Sequence, residues 1–334
     1  MVTETAIHAG LPNARLPAPP WRRIGHGVWG DVFDLGDGSV LKLVRHHGGI
    51  GSGRDILFGE VRALDLLRGL TSPVTTAALH GFGEIDADAP ALEDFCGWIR
   101  MGRLPGVTAS ALLADTRSRD DRITIMRRIG EAAGQFHQQS GGLVPEGAGL
   151  PDLTARRLSE ITDIVPDMRV YCERVDAVLH GADPHPFLHG DINGGNVLFA
   201  DPAAPATSAI GLIDLGEAQC GVTEIELRHL HDIASSDARS DGMADAMIEG
   251  YAATTGHTPR PELLTAAYCL NTLGTFAIAR LGTVPGLDES GARQAAMAAL
   301  QSLGDVPDEK RPAGGGSRRA VCLSHHQNTL RDAS

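Results

Sequence analysis

The sequence predicts an α+β chain in two lobes, an antiparallel-sheet lobe carrying one key helix and then a mainly helical lobe. Three observations carry that expectation. Short apolar runs at residues 22–24, 32–35 and 39–44 are separated by glycine-rich turns, the punctuation of strands and hairpins. Residues 55–68 set Leu57, Val61 and Leu64 at helical spacing. Farther on, Ile123, Met126, Ile129, Ala133 and Phe136 trace the apolar face of a central helix, and residues 156–179, 222–234, 241–254 and 263–284 offer more helical material.

With 334 residues the chain has ample core for two lobes. Residues 1–20 end in Leu16-Pro17-Ala18-Pro19-Pro20 and are expected to be a flexible lead-in or a short clasp. The first lobe spans 21–100 and the second 101–310; residues 311–334 have little apolar content and no periodicity, and are expected to be a disordered tail. A formal net charge of -13 argues against nucleic acid or an anionic membrane as a partner, since both need clustered Lys and Arg. Five cysteines, widely separated and without a CxxC pair, fit free thiols in a reducing cytosol. No basic-then-apolar signal opens the chain, and residues 263–284 are too polar to span a bilayer. A soluble cytoplasmic protein is expected, with no protein partner implied.

The elements acquire chemistry when taken in order. Gly25-His26-Gly27-Val28-Trp29-Gly30-Asp31-Val32 fits GxGxxGxV at every position, with Gly25, Gly27 and Gly30 letting the turn close over phosphates. Alone this pattern is weak. Here it lies between two strands, and Gly36-Asp37-Gly38 turns the chain into a third. A Rossmann site would lead into a helix instead, and a Walker site needs GlyLys followed by Ser or Thr, which the chain lacks. The third strand carries Lys42, whose ammonium can reach the α- and β-phosphates, and Glu60 on the following helix is its natural ion-pair partner. The segment 98–106 is the expected hinge, where backbone groups of Arg100, Met101 and Gly102 could bond a base edge. Thr108 or Ser110 is placed to cap the next helix.

The most informative stretch is 187–199, in which Asp191 precedes Asn196 by five residues on a loop between apolar runs, followed by Asp214 leaving another such run. Phosphoryl transfer needs this set: one carboxylate orients the attacking hydroxyl and accepts its proton, while an amide oxygen and a second carboxylate hold Mg²⁺. Asp191 is the expected base, Asn196 and Asp214 the metal ligands, and ATP or GTP the donor. His46-His47 has no third ligand at metal spacing and reads as exposed loop. Asp232 is expected to brace the catalytic loop. Glu224, Glu226, His229, His231 and Tyr251 are candidates for lining an acceptor pocket.

These residues resemble the aminoglycoside phosphotransferase family, the antibiotic-kinase branch of the protein-kinase-like fold. The resemblance covers about residues 21–300 and rests on His189-Gly190-Asp191 to Asn196, Ile213-Asp214-Leu215-Gly216 and Leu104-Pro105-Gly106. It implies a bilobal protein-kinase-like fold with Asp191 as base, Asn196 and Asp214 on Mg²⁺, Lys42 on the phosphates and His189 shaping the loop. Gly190 stands where protein kinases usually place an Arg that reads a phosphorylated activation loop, which implies a constitutively active kinase of small molecules. Two departures concern the acceptor: Glu217-Ala218-Gln219 where many relatives place Arg, and Asn193-Gly194-Gly195 in place of a commoner HisProGly-like turn. The resemblance therefore implies phosphorylation of a hydroxyl on a small-molecule antibiotic, leaning toward a nucleoside antibiotic of the capuramycin type and away from a polycationic aminoglycoside. Three alternatives stay open. They are a primary-metabolite kinase acting on choline, a sugar or an amino alcohol; a Ser/Thr kinase of a natural-product precursor peptide; and a pseudokinase binding module.

Overall fold

A computed structural model describes residues 3–304 except 69–72, 87, 117, 144–149, 181, 183, 184, 230–241 and 285. The 311–334 tail, His231, Asp232 and Cys322 lie outside the described residues. The segment expected as a flexible lead-in or a clasp is, in its described residues 3–20, a clasp and not a flexible lead-in: helix α1 (Glu4–Gly10) and a 3-10 turn (Pro12–Ala14) are anchored through Ile7, Leu11 and Ala14. Ile7 is fully buried in a cluster with Trp21, Phe33, Leu41, Leu43 and Trp98. Ile7→Ala is therefore expected to cost about 2 to 5 kcal/mol, read as a lower urea midpoint; an unchanged midpoint would restore the flexible reading.

The first lobe is a five-stranded antiparallel sheet of β1 (Arg22–His26), β2 (Gly30–Asp34), β3 (Ser39–Arg45), β5 (Leu79–Glu84) and β6 (Phe95–Gly102), in the order β1-β2-β3-β6-β5. β3 lies at its centre and is buried along nearly its whole length, which fixes Lys42 opposite Val32 on β2 and Ile99 on β6. Helix α2 (Gly53–Leu66) starts where Ser52 Oγ accepts the Arg54 N–H, and buries Ile56, Leu57, Val61 and Leu64 together with Glu60. β4 (Val74–Thr76) falls within the first lobe's sequence span but pairs in parallel with β10 (Ile210–Leu212) of the second lobe, so the lobes share a sheet edge.

In the second lobe, β7 (Val107–Thr108) and β9 (Val197–Phe199) complete that mixed sheet in the order β4-β10-β9-β7, and β8 (His185–Leu188) forms a ribbon with β11 (Gln219–Gly221). Helices α3 (Ala109–Asp115), capped by Thr108, and α4 (Arg119–Gly141) follow the connection from the first lobe. Ile125, Met126, Ile129, Ala133 and Phe136 of α4 are fully buried, and Ile123 is half-buried. The helical stretch expected at 156–179 is two helices, α5 (Leu153–Ile164) and α6 (Arg169–Leu179), broken by a 3-10 turn that begins at Pro166. Proline disfavours helical geometry in the residue before it, which accounts for the break. The helix expected at 222–234 is, in its described part, a 3-10 turn (Thr223–Leu227). Glu224 and Glu226 there bond backbone N–H groups of separate segments, and those contacts override helical propensity. Helices α7 (Met243–Thr255), α8 (Pro261–Leu281) and α9 (Glu289–Ser302) complete the lobe. Among the described residues no helix is long and apolar enough to cross a membrane.

Candidate active site

The site lies between the lobes, in a cleft of about 360 Å³ bordered by the β1–β2 turn, Lys42, the β8–β9 loop, the turn after β10, and faces of α5 and α8. Lys42 comes from the sheet centre, Glu60 from α2 and Asp214 from the turn just after β10. Lys42 Nζ donates to Glu60 Oε2 at 2.6 Å and to Asp214 Oδ1 at 2.7 Å. Burial by itself would lower the lysine pKa, but the Asp214 and Glu60 charges outweigh it and raise it, so the ammonium stays charged. Asp214 adopts left-handed backbone geometry (φ 63°), uncommon without a glycine, while 41% of its side chain stays exposed to the cleft.

Asp191 sits on the loop between β8 and β9, with both carboxylate oxygens oriented. Oδ2 accepts from Asn196 Nδ2 at 2.9 Å and Asn193 Nδ2 at 3.1 Å, and Oδ1 lies 2.8 Å from His229 Nε2 and 3.6 Å from Arg228. Burial would raise its pKa, yet the His229 hydrogen bond and the charges of His229 and Arg228 hold it below the ordinary aspartate value. Asp191 is thus ionised at neutral pH, the state a base requires. Since Asn196 turns its amide nitrogen toward Asp191, its oxygen is the atom left for a cation.

A buried frame fixes this loop. Glu226, with no exposed surface, accepts the backbone N–H of His189 at 2.6 Å through one oxygen and that of Gly190 at 3.0 Å through the other, and pairs with His137 Nε2 at 3.0 Å. Tyr251 bonds the other nitrogen of that imidazole at 2.9 Å. His189 Nε2–H donates to the Ile213 carbonyl at 3.0 Å, tying the loop to the residue before Asp214. Gly190 has φ +80°, and a Cβ there would stand 2.0 Å from the Glu217 carbonyl oxygen, so the position where protein kinases usually carry an Arg admits no side chain here. Among the described residues Glu226 braces the loop; the brace expected of Asp232 falls outside them.

Of the other expected site residues, Gly27 and Gly30 border the cleft, whereas Gly25 lies in β1 outside it. A Cβ on Gly30 would meet the Leu43 carbonyl at 2.0 Å, so this glycine serves the close approach of β2 to β3. Arg45 donates to the Gly27 carbonyl at 2.9 Å and to Asp31 at 3.0 Å, holding the turn from beneath, a role that spacing did not signal. Arg100, Met101 and Gly102 end β6 and do not border the cleft. The Arg100 guanidinium reaches Asp37 and the Arg15 carbonyl. The Gly102 N–H donates to the Ala78 carbonyl at 2.8 Å, and the following Arg103 N–H donates to the Gly38 carbonyl at 2.9 Å. The base edge expected at this hinge therefore finds the Gly102 N–H already engaged.

On the acceptor side, Glu217 is bracketed by two guanidinium groups, Arg157 Nη2 at 2.9 Å on one oxygen and Arg228 Nη2 at 2.6 Å on the other. Burial would raise the Glu217 pKa, but Arg157 and Arg228 reverse this and hold it below the ordinary glutamate value. Of the five residues weighed for the acceptor pocket, His229 borders the cleft. Glu224, Glu226 and Tyr251 are corrected: all three are buried in the frame behind it, with Glu224 accepting the Arg260 N–H at 2.9 Å. Sequence reasoning missed Arg157 and Arg228, although the unusual Glu217 was a signal that a cation should be sought nearby.

Among the described residues no three His, Cys, Asp or Glu side chains form a metal cage. The donor set nonetheless suits Mg²⁺, which typically takes one or two carboxylates and completes its shell with water and substrate phosphates; Asp214 and the Asn196 oxygen would hold it.

The model of the phosphotransferase enzyme family matches residues 20–264. No curated protein sequence matches the chain. Among solved structures, the GDP complex of wild-type aminoglycoside 2'-phosphotransferase-IIIa is similar at a TM-score of 0.61 and 14% identity, covering 89% of this chain and 97% of that one. A ternary complex of APH(2")-IIa with streptomycin and ATP gives 0.56 at 14% identity, over 90% and 97%. The microcompartment-associated aminopropanol kinase gives 0.56 at 15% identity, over 90% and 95%. At these identities the likeness speaks to the fold, which is the bilobal kinase-like one.

Proposed function

We propose that this chain, which belongs to the phosphotransferase enzyme family, moves the γ-phosphate of ATP or GTP to a hydroxyl of a small-molecule antibiotic in a Mg²⁺-dependent reaction. The observation that carries the reading is the convergence of Lys42, Asp191, Asn196 and Asp214 on one cleft beneath the β1–β2 turn. Lys42, kept charged by two carboxylates, contacts the donor phosphates. Asp191, oriented by Asn193 and Asn196, accepts the acceptor's proton as the acceptor oxygen bonds to the γ-phosphorus and the bond to the β,γ-bridging oxygen breaks. Mg²⁺, when bound, would neutralise charge on the phosphates. The nucleotide complexes of similarly folded proteins support a nucleoside triphosphate donor.

Resistance or self-resistance is the role proposed, in the cytoplasm where the donor is available, and the pairing of Glu217 with two arginines favours a nucleoside antibiotic over a polycationic aminoglycoside. The aminopropanol kinase among the structural neighbours supports a second reading, a primary-metabolite kinase. The metal assignment is tested by Asp214→Ala, which is expected to abolish Mg²⁺-dependent nucleotide binding in calorimetric titrations with and without chelator. Mg²⁺ dependence that survives the substitution would remove Asp214 from the metal site.

A further inference from the structure

We infer that the acceptor bears an oxyanion group, a carboxylate or a phosphate, that is received by Arg157; this rests on the phosphotransferase reading above. The carboxylates bordering the cleft, among the described residues, are Asp191, Asp214 and Glu217. The first two are assigned to the proton and the metal, and Glu217 is bracketed by Arg157 and Arg228. Among the described residues no carboxylate is left to receive a cationic substrate. The facing wall from α8, with Leu270, Asn271, Thr275 and Ile278, carries no charge.

Arg157 has capacity beyond Glu217. Its guanidinium has five N–H donors in a planar fork, and among the described residues its one hydrogen-bond partner is a single Glu217 oxygen, reached through Nη2. The side chain keeps 21% of its surface exposed and borders the cleft near Asp191, so its remaining donors are available to a ligand. Glu217 fixes the guanidinium in place without covering it. A planar fork on a helix, anchored to a carboxylate through one nitrogen, suits an oxyanion far better than an ammonium, which it would repel.

The test titrates the full chain, loaded with Mg²⁺ and a non-hydrolysable nucleotide, with two matched sets of hydroxyl compounds: glucuronate, glucuronamide and glucosamine; and glycerate, glycerophosphate and glyceramide. The anionic members are expected to bind at least about tenfold more tightly than their amide or amine counterparts, the scale of a charge-assisted hydrogen bond. Comparing glycerate with glycerophosphate then separates carboxylate from phosphate. Arg157→Gln should erase the preference while leaving nucleotide affinity intact. Equal binding, tighter binding of glucosamine, or no binding of any anion overturns the inference. So does a loss of nucleotide affinity in Arg157→Gln, because Arg157 would then serve the donor phosphates. If the wild-type protein takes up no nucleotide with Mg²⁺, the phosphotransferase reading itself fails, and this inference with it.

Discussion

Asp191→Ala is expected to lower phosphate-transfer turnover about 10²- to 10⁴-fold, the usual loss when a general base is removed. Nucleotide affinity should stay close to wild type, because no proposed phosphate contact passes through this side chain. The structure supports that separation. Asp191 is oriented by Asn193, Asn196 and His229, whereas Lys42 is held by Glu60 and Asp214. Single-turnover transfer measured beside nucleotide titration reads the two effects independently. A large loss of nucleotide binding would make Asp191 a structural or metal-bound residue instead.

Glu226→Ala is expected to cost about 2 to 5 kcal/mol of stability, since each buried donor left unsatisfied costs about 1 to 3 kcal/mol. The substitution strands the His189 and Gly190 N–H groups and leaves His137 without its carboxylate partner. Urea unfolding measures the loss, and the variant should lose transfer activity as well, since those N–H groups set the backbone leading into Asp191. The pH dependence has a definite sign. Burial would raise the Glu226 pKa, but the His137 hydrogen bond and nearby charge hold it below the ordinary value of 4.5, so its contribution to stability is present above that value. It is lost as the pH falls from 4.5 through the lower folded value. Glu226→Gln, which retains hydrogen-bonding atoms but does not titrate, should flatten that acid limb. An unchanged acid limb would assign it to other carboxylates.

Much of the proposed phosphotransfer site was legible because its residues sit in local patterns. The glycine turn, Lys42 and helical Glu60 were read from strand and helix periodicity, and Asp191, Asn196 and Asp214 from their spacing beside apolar runs; the fold brings Lys42, Glu60 and Asp214 into direct contact. What was not legible depends on segments distant in sequence. Glu226 reaches His189 and Gly190 from 37 and 36 residues away, and Arg157 reaches Glu217 from 60. Nothing local distinguishes such a glutamate from one on a solvated helix face, which is why Glu224 and Glu226 were weighed as pocket residues. The amino-terminal clasp was hard to read for another reason: α1 has seven residues, too few for a periodic signal, and its burial depends on Trp21, Leu41 and Trp98. At the expected hinge, residues 100–102 continue β6, and their sheet pairing with β3 and β5 could not be foreseen from an apolar run alone.

The most direct test of the central claim is a transfer screen of the purified protein with Mg²⁺, offering ATP and GTP separately. The panel comprises aminoglycosides, nucleoside and peptide antibiotics, amino alcohols and sugars, and the readout is a mass gain of one phosphate. The account predicts transfer to a hydroxyl of one antibiotic class, abolished in Asp191→Ala. Transfer confined to an amino alcohol or a sugar would move the protein to primary metabolism, and tight nucleotide binding with no transfer to any hydroxyl compound would contradict the claim that this cleft is a small-molecule kinase site.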